Sequence, residues 1–546
     1  MKKNLTLSWF VCVAIATPIW AESLLKPNDR IIFAGDSITA ISIGSSQGFY
    51  HQFVDALHTV YPSYQNEVIS LGFSGRTLFD WADLEVRSRT QLVPTDDRRF
   101  EVQAAFAKHA DIVFILLGMN DILKPQVLDD QAVLKSWKEK YRELVKAIRE
   151  RVTPREIVVC EITPLTEDPL SPKNRVRDRM THLARELAKE ETCRFAATGA
   201  SVFETVDRCR RVKQDDHVIP DTVHPVPPLG HSCIVKAMME AIQDEPLARE
   251  FQGKIDAKIA EMAQAKPFLT YRFSPQPGCP AQHAEQEYRL SCFWNDGAEA
   301  KAPRVPVFSL EVPVGWTAAV ATSVSKGEAI FTIRGIPERL QTPVTIVAKA
   351  GDDTIRQTVQ IPAPWRVVCG PDNGGAWSSQ RVYQPASSIP FMEADLVAGK
   401  HFLEPFTGEK KTYVWQVNTP SVDYTGGSDP NSVVPFSLTF GSQNDVLYAA
   451  RWVYSAKSRP VQIQLSHQTF SATLGFEVWV NGALVLTADL NRSGKNKIVG
   501  PARLEQGWNR LLVRNDHLQW QRQFACALLP VEGDNLEDLL YSHVPR

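Results

Sequence analysis

The pattern of apolar and polar positions predicts alternating strands and helices in the first part of the chain. Short apolar runs predict strands at 30–34, 67–71, 111–117, 156–162 and 194–197. Helical patterns between them are clearest at 132–152 and 174–189, where apolar residues recur every three or four positions. Apolar runs that do not alternate, each followed by a helix, are typical of a parallel sheet covered on both faces. We therefore expect an α/β fold with three layers between about residues 29 and 245.

The pattern changes after this part, and the rest of the chain is predicted to be all-β. A charged helical segment at 246–266 ends the first part. Apolar runs separated by Gly, Pro and Asp then predict the strands of a small β-sandwich at 305–312, 328–333, 344–349 and 358–361. Pro362-Ala363-Pro364 is a candidate linker to a second all-β region.

A hairpin is the clearest feature of the second all-β region. Asn481-Gly482 separates the apolar runs 476–480 and 483–490, and both residues tolerate the positive φ angles of a type I′ turn. A chain of 546 residues is also too long for one hydrophobic core. The predicted domains span residues 22–265, 266–365 and 366–546.

The first 21 residues have the features of a signal peptide. Lys2 and Lys3 precede an apolar run that ends near Ile19, and Ala21 is a small residue suited to cleavage. The alternative is a membrane anchor, but Thr17 and Pro18 interrupt a run that is short for a span of about 20 residues. We expect an exported protein, periplasmic or secreted, with no membrane insertion after cleavage.

Composition and charge exclude several classes of partner. The net charge is −2 and no block of Lys and Arg is present, so neither nucleic acid nor an anionic membrane surface is an expected partner. His-Glu-x-x-His, Walker A and Gly-x-Gly-x-x-Gly motifs are absent, and we expect no metal and no cofactor. The absence of a Gly-x-Ser-x-Gly elbow argues against the α/β-hydrolase fold.

Eight of the nine cysteines follow the predicted signal peptide, in a compartment that would be oxidising. No Cys-x-x-Cys pair indicates a zinc or redox site. Two disulfides are candidates for the β-regions, Cys279 with Cys292 and Cys369 with Cys526, although the sequence does not fix the pairing. Cys160 lies in an apolar run and is expected to be a buried thiol.

Polar, glycine-flanked turns follow the first three predicted strands. They are Gly35-Asp36-Ser37, Gly72-Phe73-Ser74-Gly75 and Gly118-Met119-Asn120-Asp121. The carboxyl ends of parallel strands meet at one edge of a sheet, where ligands bind. Near the end of the domain, Asp221 and His224 are three positions apart in a loop.

These residue types together suit acyl transfer. A serine hydroxyl becomes a good nucleophile when a neighbouring histidine takes its proton, and a carboxylate orients that histidine. A backbone N–H beside glycine and a carboxamide such as that of Asn120 can stabilise the oxyanion of the tetrahedral intermediate. A serine esterase site is therefore predicted at this edge of the sheet.

The four motifs resemble those of the SGNH (GDSL-type) hydrolases over residues 29–245. The resemblance implies a flavodoxin-like parallel sheet, with Ser37 as the nucleophile and Asp221 and His224 as the other members of the triad. It also implies an oxyanion hole made by the N–H groups of Ser37 and Gly75 and the side chain of Asn120. Relatives commonly have Asn where this chain has Ser70, which leaves the hydrogen bonding of the second turn open.

Other polar residues in these motifs have simpler explanations. Asp36 and Asp121 are expected to hold loops by accepting hydrogen bonds from backbone N–H groups. His217 and His231 are alternatives to His224 as the base, but neither has the Asp-x-x-His spacing. His51 and His58, seven positions apart on a predicted helix, are expected to be surface or otherwise satisfied residues.

The last β-region carries a second, weaker resemblance. The segments 476–482 and 504–513 are similar to galactose-binding-like sandwiches attached to bacterial glycan-active enzymes, and the middle region is generically immunoglobulin-like. Aromatic side chains can stack on sugars, but tryptophan in a sandwich is more often a core residue. The tryptophans concerned are Trp365, Trp377, Trp415, Trp452, Trp479, Trp508 and Trp520.

The leading hypothesis is an exported carbohydrate O-acetylesterase without a metal, acting on an acylated glycan or a small ester. A lipase, lysophospholipase or thioesterase on the same site is one alternative, although no long apolar lid-like segment supports it. A catalytically inactive glycan-binding surface protein is another, and the intact set of site residues argues against it. The sequence leaves the sugar, the acyl group and the oligomeric state open.

Overall fold

The computed structural model describes most of the first two predicted domains and parts of the third. The described residues are 23–82, 84, 98–123, 131–169, 171–213, 217–221, 223–264, 266–275, 284–297, 303–325, 327–372, 401–403, 410–412, 415–418, 432–433, 445–467, 475–488, 497–516 and 524–544. The predicted signal peptide, Cys279, Trp377 and Trp520 lie outside them. No helix among the described residues is both long and apolar enough to cross a membrane.

Five strands of the first part form one parallel sheet, as the sequence predicts. They are Arg30–Gly35 (β1), Glu67–Gly72 (β2), Ile112–Leu116 (β3), Glu156–Cys160 (β4) and Arg194–Ala196 (β5). Their order across the sheet is β2-β1-β3-β4-β5. Every residue of β3 is buried, so both faces of the sheet are covered at this central strand.

The helices of the first part follow the strands in the chain and pack on the sheet. They are Ser37–Gly44 (α1), Phe49–Val60 (α2), Leu78–Trp81 (α3), Arg98–Phe106 (α4), Met119–Leu123 (α5), Gln131–Val152 (α6), Pro172–Glu190 (α7), Thr198–Val212 (α8), Leu229–Ala241 (α9) and Glu245–Met262 (α10). In α6, the apolar residues from Trp137 to Ile148 that recur at helical spacing are buried, which confirms the predicted face. The charged helix predicted at the end of this part is α10.

The middle β-region consists of two antiparallel sheets. Its strands are Phe268–Pro275 (β6), Gln286–Asn295 (β7), Val307–Glu311 (β8), Thr317–Ser325 (β9), Glu328–Gly335 (β10), Gln341–Ala350 (β11) and Asp353–Pro362 (β12). The sheet orders are β6-β7-β10-β9 and β12-β11-β8. Leu290 and Phe331 of one sheet and Ile346 and Val359 of the other belong to a single hydrophobic cluster, so the sheets share a core.

The last β-region is also antiparallel in its described part. Its strands are Trp365–Asp372 (β13), His401–Leu403 (β14), Lys410–Thr412 (β15), Gln416–Asn418 (β16), Ser432–Val433 (β17), Asp445–Ser455 (β18), Arg459–His467 (β19), Gly475–Val480 (β20), Ala483–Ala488 (β21), Lys497–Leu504 (β22), Gly507–Asp516 (β23), Phe524–Pro530 (β24) and Leu540–Ser542 (β25). The larger sheet has the order β16-β13-β18-β23-β20-β21 with β25 on β18, and a second has the order β17-β24-β19-β22.

The predicted hairpin is the β20–β21 pair. Asn481 and Gly482 have φ angles of 52° and 84°, as a type I′ turn requires. Trp365, Trp415 and Trp452 are buried in the same region, in agreement with a core role. The galactose-binding-like and immunoglobulin-like identities of the two β-regions stay predictions.

The cysteines whose side chains the structure describes are free thiols. Cys292 and Cys526, each a member of a candidate disulfide, are free and buried, while Cys279 and the side chain of Cys369 are outside the description. Cys160 is fully buried, as expected, and burial raises the pKa of its thiol well above the ordinary value.

The candidate linker Pro362-Ala363-Pro364 is a buried junction. Ala363 is fully buried and its N–H donates to the carbonyl of Leu340 at 3.0 Å. Arg451 donates from Nη2 to the carbonyl of Ala363 at 2.5 Å, and its Cζ lies 4.1 Å from the ring centre of Trp365. The backbone between the two β-regions is therefore held by hydrogen bonds and packing at this point.

Candidate active site

The strand register brings the three polar turns to one edge of the sheet. At the carboxyl end of β1, Gly35 lies opposite Gly72 of β2 on one side and Leu116 of β3 on the other. The turns that follow these strands therefore begin at the same level. Ser37, Gly75 and Asn120 are the residues of these turns that the sequence assigned to the chemistry.

Ser37 is the first residue of α1, and Asp36 caps that helix. The Asp36 carboxylate accepts from the N–H of Ile38 at 3.0 Å and is buried, so it holds the turn as expected. Burial raises the pKa of Asp36 to about 6, against smaller lowering effects from the Ile38 N–H and from His224.

Two hydrogen bonds connect Ser37, His224 and Asp221 in a chain. The distance from Ser37 Oγ to His224 Nε2 is 2.8 Å, and that from His224 Nδ1 to Asp221 Oδ2 is 2.5 Å. A histidine that donates from Nδ1 to a carboxylate has Nε2 available to accept the serine proton. The arrangement can therefore deprotonate Ser37 as it attacks an electrophile.

The loop that carries Asp221 and His224 is organised by Asp221 itself. Its Oδ1 accepts from the N–H of Val223 at 2.9 Å and from that of His224 at 2.7 Å. Burial acts to raise the pKa of Asp221, but the hydrogen bonds from the His224 side chain and from these N–H groups outweigh it, and the pKa lies below its ordinary value. Asp221 is therefore ionised at neutral pH, as its partner requires.

The turns after β2 and β3 are tied to each other. Asn120 Nδ2 donates to the carbonyl of Arg76 at 2.9 Å, and Asp121 Oδ2 accepts from the N–H of Leu78 at 3.0 Å. Gly75 has a φ of 73°, a left-handed conformation that a side chain would strain. Asp121 is thus a loop-holding residue, as predicted, and Asn120 is fixed beside the turn that contains Gly75.

Ser70, where SGNH relatives commonly have Asn, contributes little to this arrangement. It lies in β2 opposite Phe33 of β1. Its buried hydroxyl has no hydrogen-bond partner among the described residues. The Asn120 contact to the Arg76 carbonyl, rather than Ser70, connects the second turn to its neighbour.

The other histidines considered in the sequence are not hydrogen-bonded to Ser37 among the described residues. His231 is fully buried and its Nδ1 accepts from the N–H of Phe49, the first residue of α2, at 3.0 Å. Burial lowers the pKa of His231 to about 4. His51 Nε2 lies 3.0 Å from the carbonyl of Ile43, and His58 is exposed in the last turn of α2. His217 Nδ1 lies 3.2 Å from a carboxylate oxygen of Glu167.

The contact between His217 and Glu167 belongs to a buried network that no sequence motif indicates. Glu167, Arg210 and His217 come from the segment after β4, from α8 and from the segment before Asp221. Arg210 donates to Glu167 Oε2 from Nε at 3.1 Å and from Nη2 at 2.6 Å. No local motif marks these residues, because their sequence separations are 43 and 50 positions.

Metal binding has no obvious donor set in the part of the chain that the structure describes. No group of three or more His, Cys, Asp and Glu side chains is placed there to hold an ion.

The first part of the chain matches the model of one known family. Residues 33–228 match the model of the GDSL-like Lipase/Acylhydrolase family. This range contains Ser37, Gly75, Asn120, Asp221 and His224. The match supports the resemblance inferred from the sequence for this part of the chain. No curated protein matches the chain.

Two of the similar solved structures each cover about two fifths of the chain. An acetylxylan esterase, Axe2 from Geobacillus stearothermophilus, is 23% identical and covers 40% of this chain and 94% of its own, with a TM-score of 0.31. LAE5, described as an α/β hydrolase enzyme from the metagenome of Lake Arreo in Spain, is 18% identical and covers 41% of this chain and 99% of its own, with a TM-score of 0.32.

Proposed function

We propose that the protein is an exported serine esterase that hydrolyses O-acyl esters, above all O-acetyl esters, on a carbohydrate. The observation that carries the proposal is the hydrogen-bonded chain Ser37–His224–Asp221, with distances of 2.8 Å and 2.5 Å. The acylhydrolase family match over residues 33–228 supports the reaction class.

In the first half of the reaction, Ser37 attacks the ester. Its Oγ forms a bond to the carbonyl carbon while His224 Nε2 takes the hydroxyl proton, and the carbonyl electron pair moves onto the oxygen. The N–H groups of Ser37 and Gly75 and the Asn120 side chain are the proposed donors to that oxygen. Asn120 Nδ2 has two hydrogens: the bond to the Arg76 carbonyl uses one, and the other is assigned to the oxyanion.

In the second half, water releases the acyl group. The tetrahedral intermediate expels the alcohol, which takes the proton from His224, and an acyl-enzyme remains on Ser37. His224 then accepts a proton from water as the water oxygen bonds to the acyl carbon. Collapse of this intermediate returns the proton to Ser37 and liberates the acid. Asp221 keeps the imidazole oriented in both halves.

The carbohydrate as substrate is the finer part of the proposal. It is supported by the two β-regions that follow the first domain in the chain, and by an N-terminal segment with the features of a signal peptide. A lipase, lysophospholipase or thioesterase would use the same residues, and the family description includes lipases.

The reaction is tested with p-nitrophenyl acetate. We expect release of p-nitrophenol by the full chain and its loss in Ser37→Ala. Absence of turnover by a folded, homogeneous preparation would refute the esterase and favour an inactive, glycan-binding protein. Retention of full-length Ser37→Ala on immobilised polysaccharides measures glycan binding separately from turnover.

The acyl group and its carrier are tested with two substrate series. We expect kcat/KM to fall as the acyl chain of p-nitrophenyl esters lengthens, whereas a preference for octanoate or longer would indicate a lipase. Acetate release is then compared over a panel of acetylated glycans, including acetylated xylan. Export is tested by the mass of the protein recovered outside the cytoplasm, which should lack residues 1–21.

A further inference from the structure

The loop that carries Asp221 and His224 is anchored at its base by Glu167. Glu167 Oε1 accepts from the backbone N–H of Val218 at 2.5 Å and from that of Ile219 at 3.0 Å. The same carboxylate binds Arg210 and lies against His217 through Oε2. Both oxygens are thus engaged, one with the backbone and one with side chains.

The anchored residues close the loop. The N–H of Val226 donates to the carbonyl of Val218 at 2.8 Å, so the two ends of the segment 218–226 are joined. We call this segment the catalytic loop. Asp221 and His224 lie inside it, and α9 begins three residues after it at Leu229. Holding the backbone of Val218 in place therefore holds Asp221 and His224 in position relative to Ser37.

Burial makes this anchor rigid. The side chains of Glu167 and Arg210 are 6% and 4% exposed. A buried carboxylate bonded to a buried guanidinium and to two backbone N–H groups has little freedom to move. Burial acts to raise the pKa of Glu167, but its hydrogen bonds and the charges of its neighbours lower it to about 2. The carboxylate is therefore ionised throughout the neutral range.

We propose that Glu167 is a positioning residue of the esterase, which sets the distance between His224 and Ser37 by holding the base of the catalytic loop. This inference rests on the proposed function, because it concerns the reactivity of Ser37. Glu167 acts through Val218 and Ile219 and makes no contact with the reacting atoms.

A second buried ion pair in the same domain provides a matched control. Arg177 donates from Nη2 to Glu161 Oε1 at 2.5 Å, and these side chains are 4% and 5% exposed. Glu161 Oε2 accepts from the N–H of Ala200 in α8, not from the catalytic loop. Loss of this carboxylate should cost stability without moving the loop.

The test measures the rate at which a fluorophosphonate labels Ser37 in the full chain. Labelling forms a bond from Ser37 Oγ to phosphorus, expels fluoride and transfers the serine proton to His224, so it needs the catalytic geometry but no particular ester. The variants are Glu167→Ala, Glu167→Gln and Glu161→Ala. All are measured well below their unfolding temperatures and checked for folding by circular dichroism.

We expect Glu167→Ala to be labelled more slowly by on the order of 10²-fold, the typical cost of misplacing a catalytic group. Glu167→Gln should recover part of that loss, because its oxygen can still accept from Val218 and Ile219. With p-nitrophenyl acetate, kcat per active site should fall by a similar factor while KM stays within about threefold. Glu161→Ala should retain the wild-type rates per active site.

Wild-type labelling of folded Glu167→Ala, or an equal loss in folded Glu161→Ala, would overturn the positioning role. If Glu167→Ala does not fold, Glu167→Asp replaces it, since the shorter side chain cannot reach Arg210 and the two N–H groups together. Folded Glu167→Asp with the wild-type rate would likewise overturn it. Failure of the wild-type chain to be labelled would refute the proposed function instead.

Discussion

Two carboxylates of the candidate site, those of Asp221 and Asp36, have opposite environments. Asp221 is 42% exposed, accepts three hydrogen bonds from Val223 and His224, and has a lowered pKa. Asp36 is 1% exposed, and burial raises its pKa to about 6. Asp221 is therefore stabilised in its ionised form, whereas ionisation of Asp36 opposes folding.

The raised pKa of Asp36 predicts a pH-dependent effect of Asp36→Asn on stability. Between its ordinary value of 3.8 and about 6, the unfolded chain releases a proton that the folded chain keeps, so the contribution of Asp36 to stability falls as pH rises through this window. Asparagine can still cap α1 but has no charge to bury. At pH 7 the variant should be more stable by on the order of 3 kcal/mol, since one pKa unit corresponds to about 1.4 kcal/mol.

Urea denaturation at neutral pH and at about pH 4 measures this difference. The advantage of Asp36→Asn should shrink to a fraction of about 1 kcal/mol at the lower pH, where Asp36 is protonated in the folded chain and about half protonated in the unfolded chain. An advantage that is the same at both pH values would show that the ionisation of Asp36 is not its cause.

Asn120 gives a prediction about rate. Its carboxamide is 3% exposed and is held by the Arg76 carbonyl, so its second N–H is fixed in direction. Asn120→Ala should lower kcat by on the order of 10²–10³, the usual loss of one oxyanion donor, with a smaller change in KM. Steady-state kinetics with p-nitrophenyl acetate measure both constants. An unchanged kcat would remove Asn120 from the proposed oxyanion hole.

At the residue scale, the sequence alone was enough to select candidate site residues that lie in short motifs. Ser37, Asp221 and His224 were selected by spacing and strand-end position, and the structure brings them within hydrogen-bond distance. Glu167 and Arg210 were not predicted as site residues, because an isolated charged residue has no motif that distinguishes it from other surface charges. Only the packing of α8 against the segment after β4 brings them to the catalytic loop.

At the scale of elements, the close packing of α1 on β2 positions the nucleophile. A Cβ atom on Gly72 would lie 2.2 Å from the backbone N of Ala40 in α1. Side chains are not tolerated at such distances, so a substitution must move the helix or the strand. Because Ser37 is the first residue of α1, that movement changes the position of the nucleophile.

We predict that Gly72→Ala is destabilising by about 1–3 kcal/mol, the typical cost of overpacking, and that it lowers kcat. Gly44→Ala in α1 is the control, since a Cβ there would have no neighbour within 4 Å and alanine favours helix formation. Urea denaturation and p-nitrophenyl acetate kinetics compare the two variants. Equal behaviour of both would exclude the close contact as the cause.

The elements that the sequence predicted best are those with one clear hydrophobic pattern. The parallel strands are continuous apolar runs, and α6 buries a single face. In the middle β-region, strands β6, β7 and β9 were not predicted from the sequence. In β9, residues 317–320 are all exposed at the edge of the sheet, so no alternation of buried and exposed positions marks it. In the second half of β7, residues 290–294 are all buried, so the alternation of its first half does not continue.

At the scale of the molecule, α8 joins the first domain to the middle β-region. Arg211 donates to Glu328 of β10 at 2.8 Å, and its Cζ lies 4.5 Å from the ring centre of Phe293 in β7. Asp207 forms an ion pair with Arg272 of β6. Ser274 of β6 donates to Asp168 at 2.9 Å. The contact therefore combines charge, hydrogen bonding and aromatic packing.

Arg211→Ala should weaken this contact and separate the unfolding of the two parts. The lost ion pair and cation–π contact together predict a destabilisation of about 1–2 kcal/mol. Differential scanning calorimetry should show a broader or divided transition. The control is Arg356→Ala, which removes an exposed ion pair with Glu311 inside the middle region and should leave the transition unchanged. A single transition of wild-type shape in Arg211→Ala would indicate that the two parts unfold together without this side chain.

The adjacent residues Glu167 and Asp168, and likewise Arg210 and Arg211, affect how this chain can be recombined with other domains. Glu167 holds the catalytic loop and Arg210 binds Glu167, while the next residues, Asp168 and Arg211, bind the middle β-region. A chimera joined at residue 265 would remove the contacts of Asp168 and Arg211 with the middle β-region. These two residues directly follow Glu167 and Arg210, which anchor the catalytic loop. The first domain is therefore difficult to transfer to another protein on its own. A graft of the first domain should keep the middle β-region attached, or else redesign the side of α8 that contacts that region.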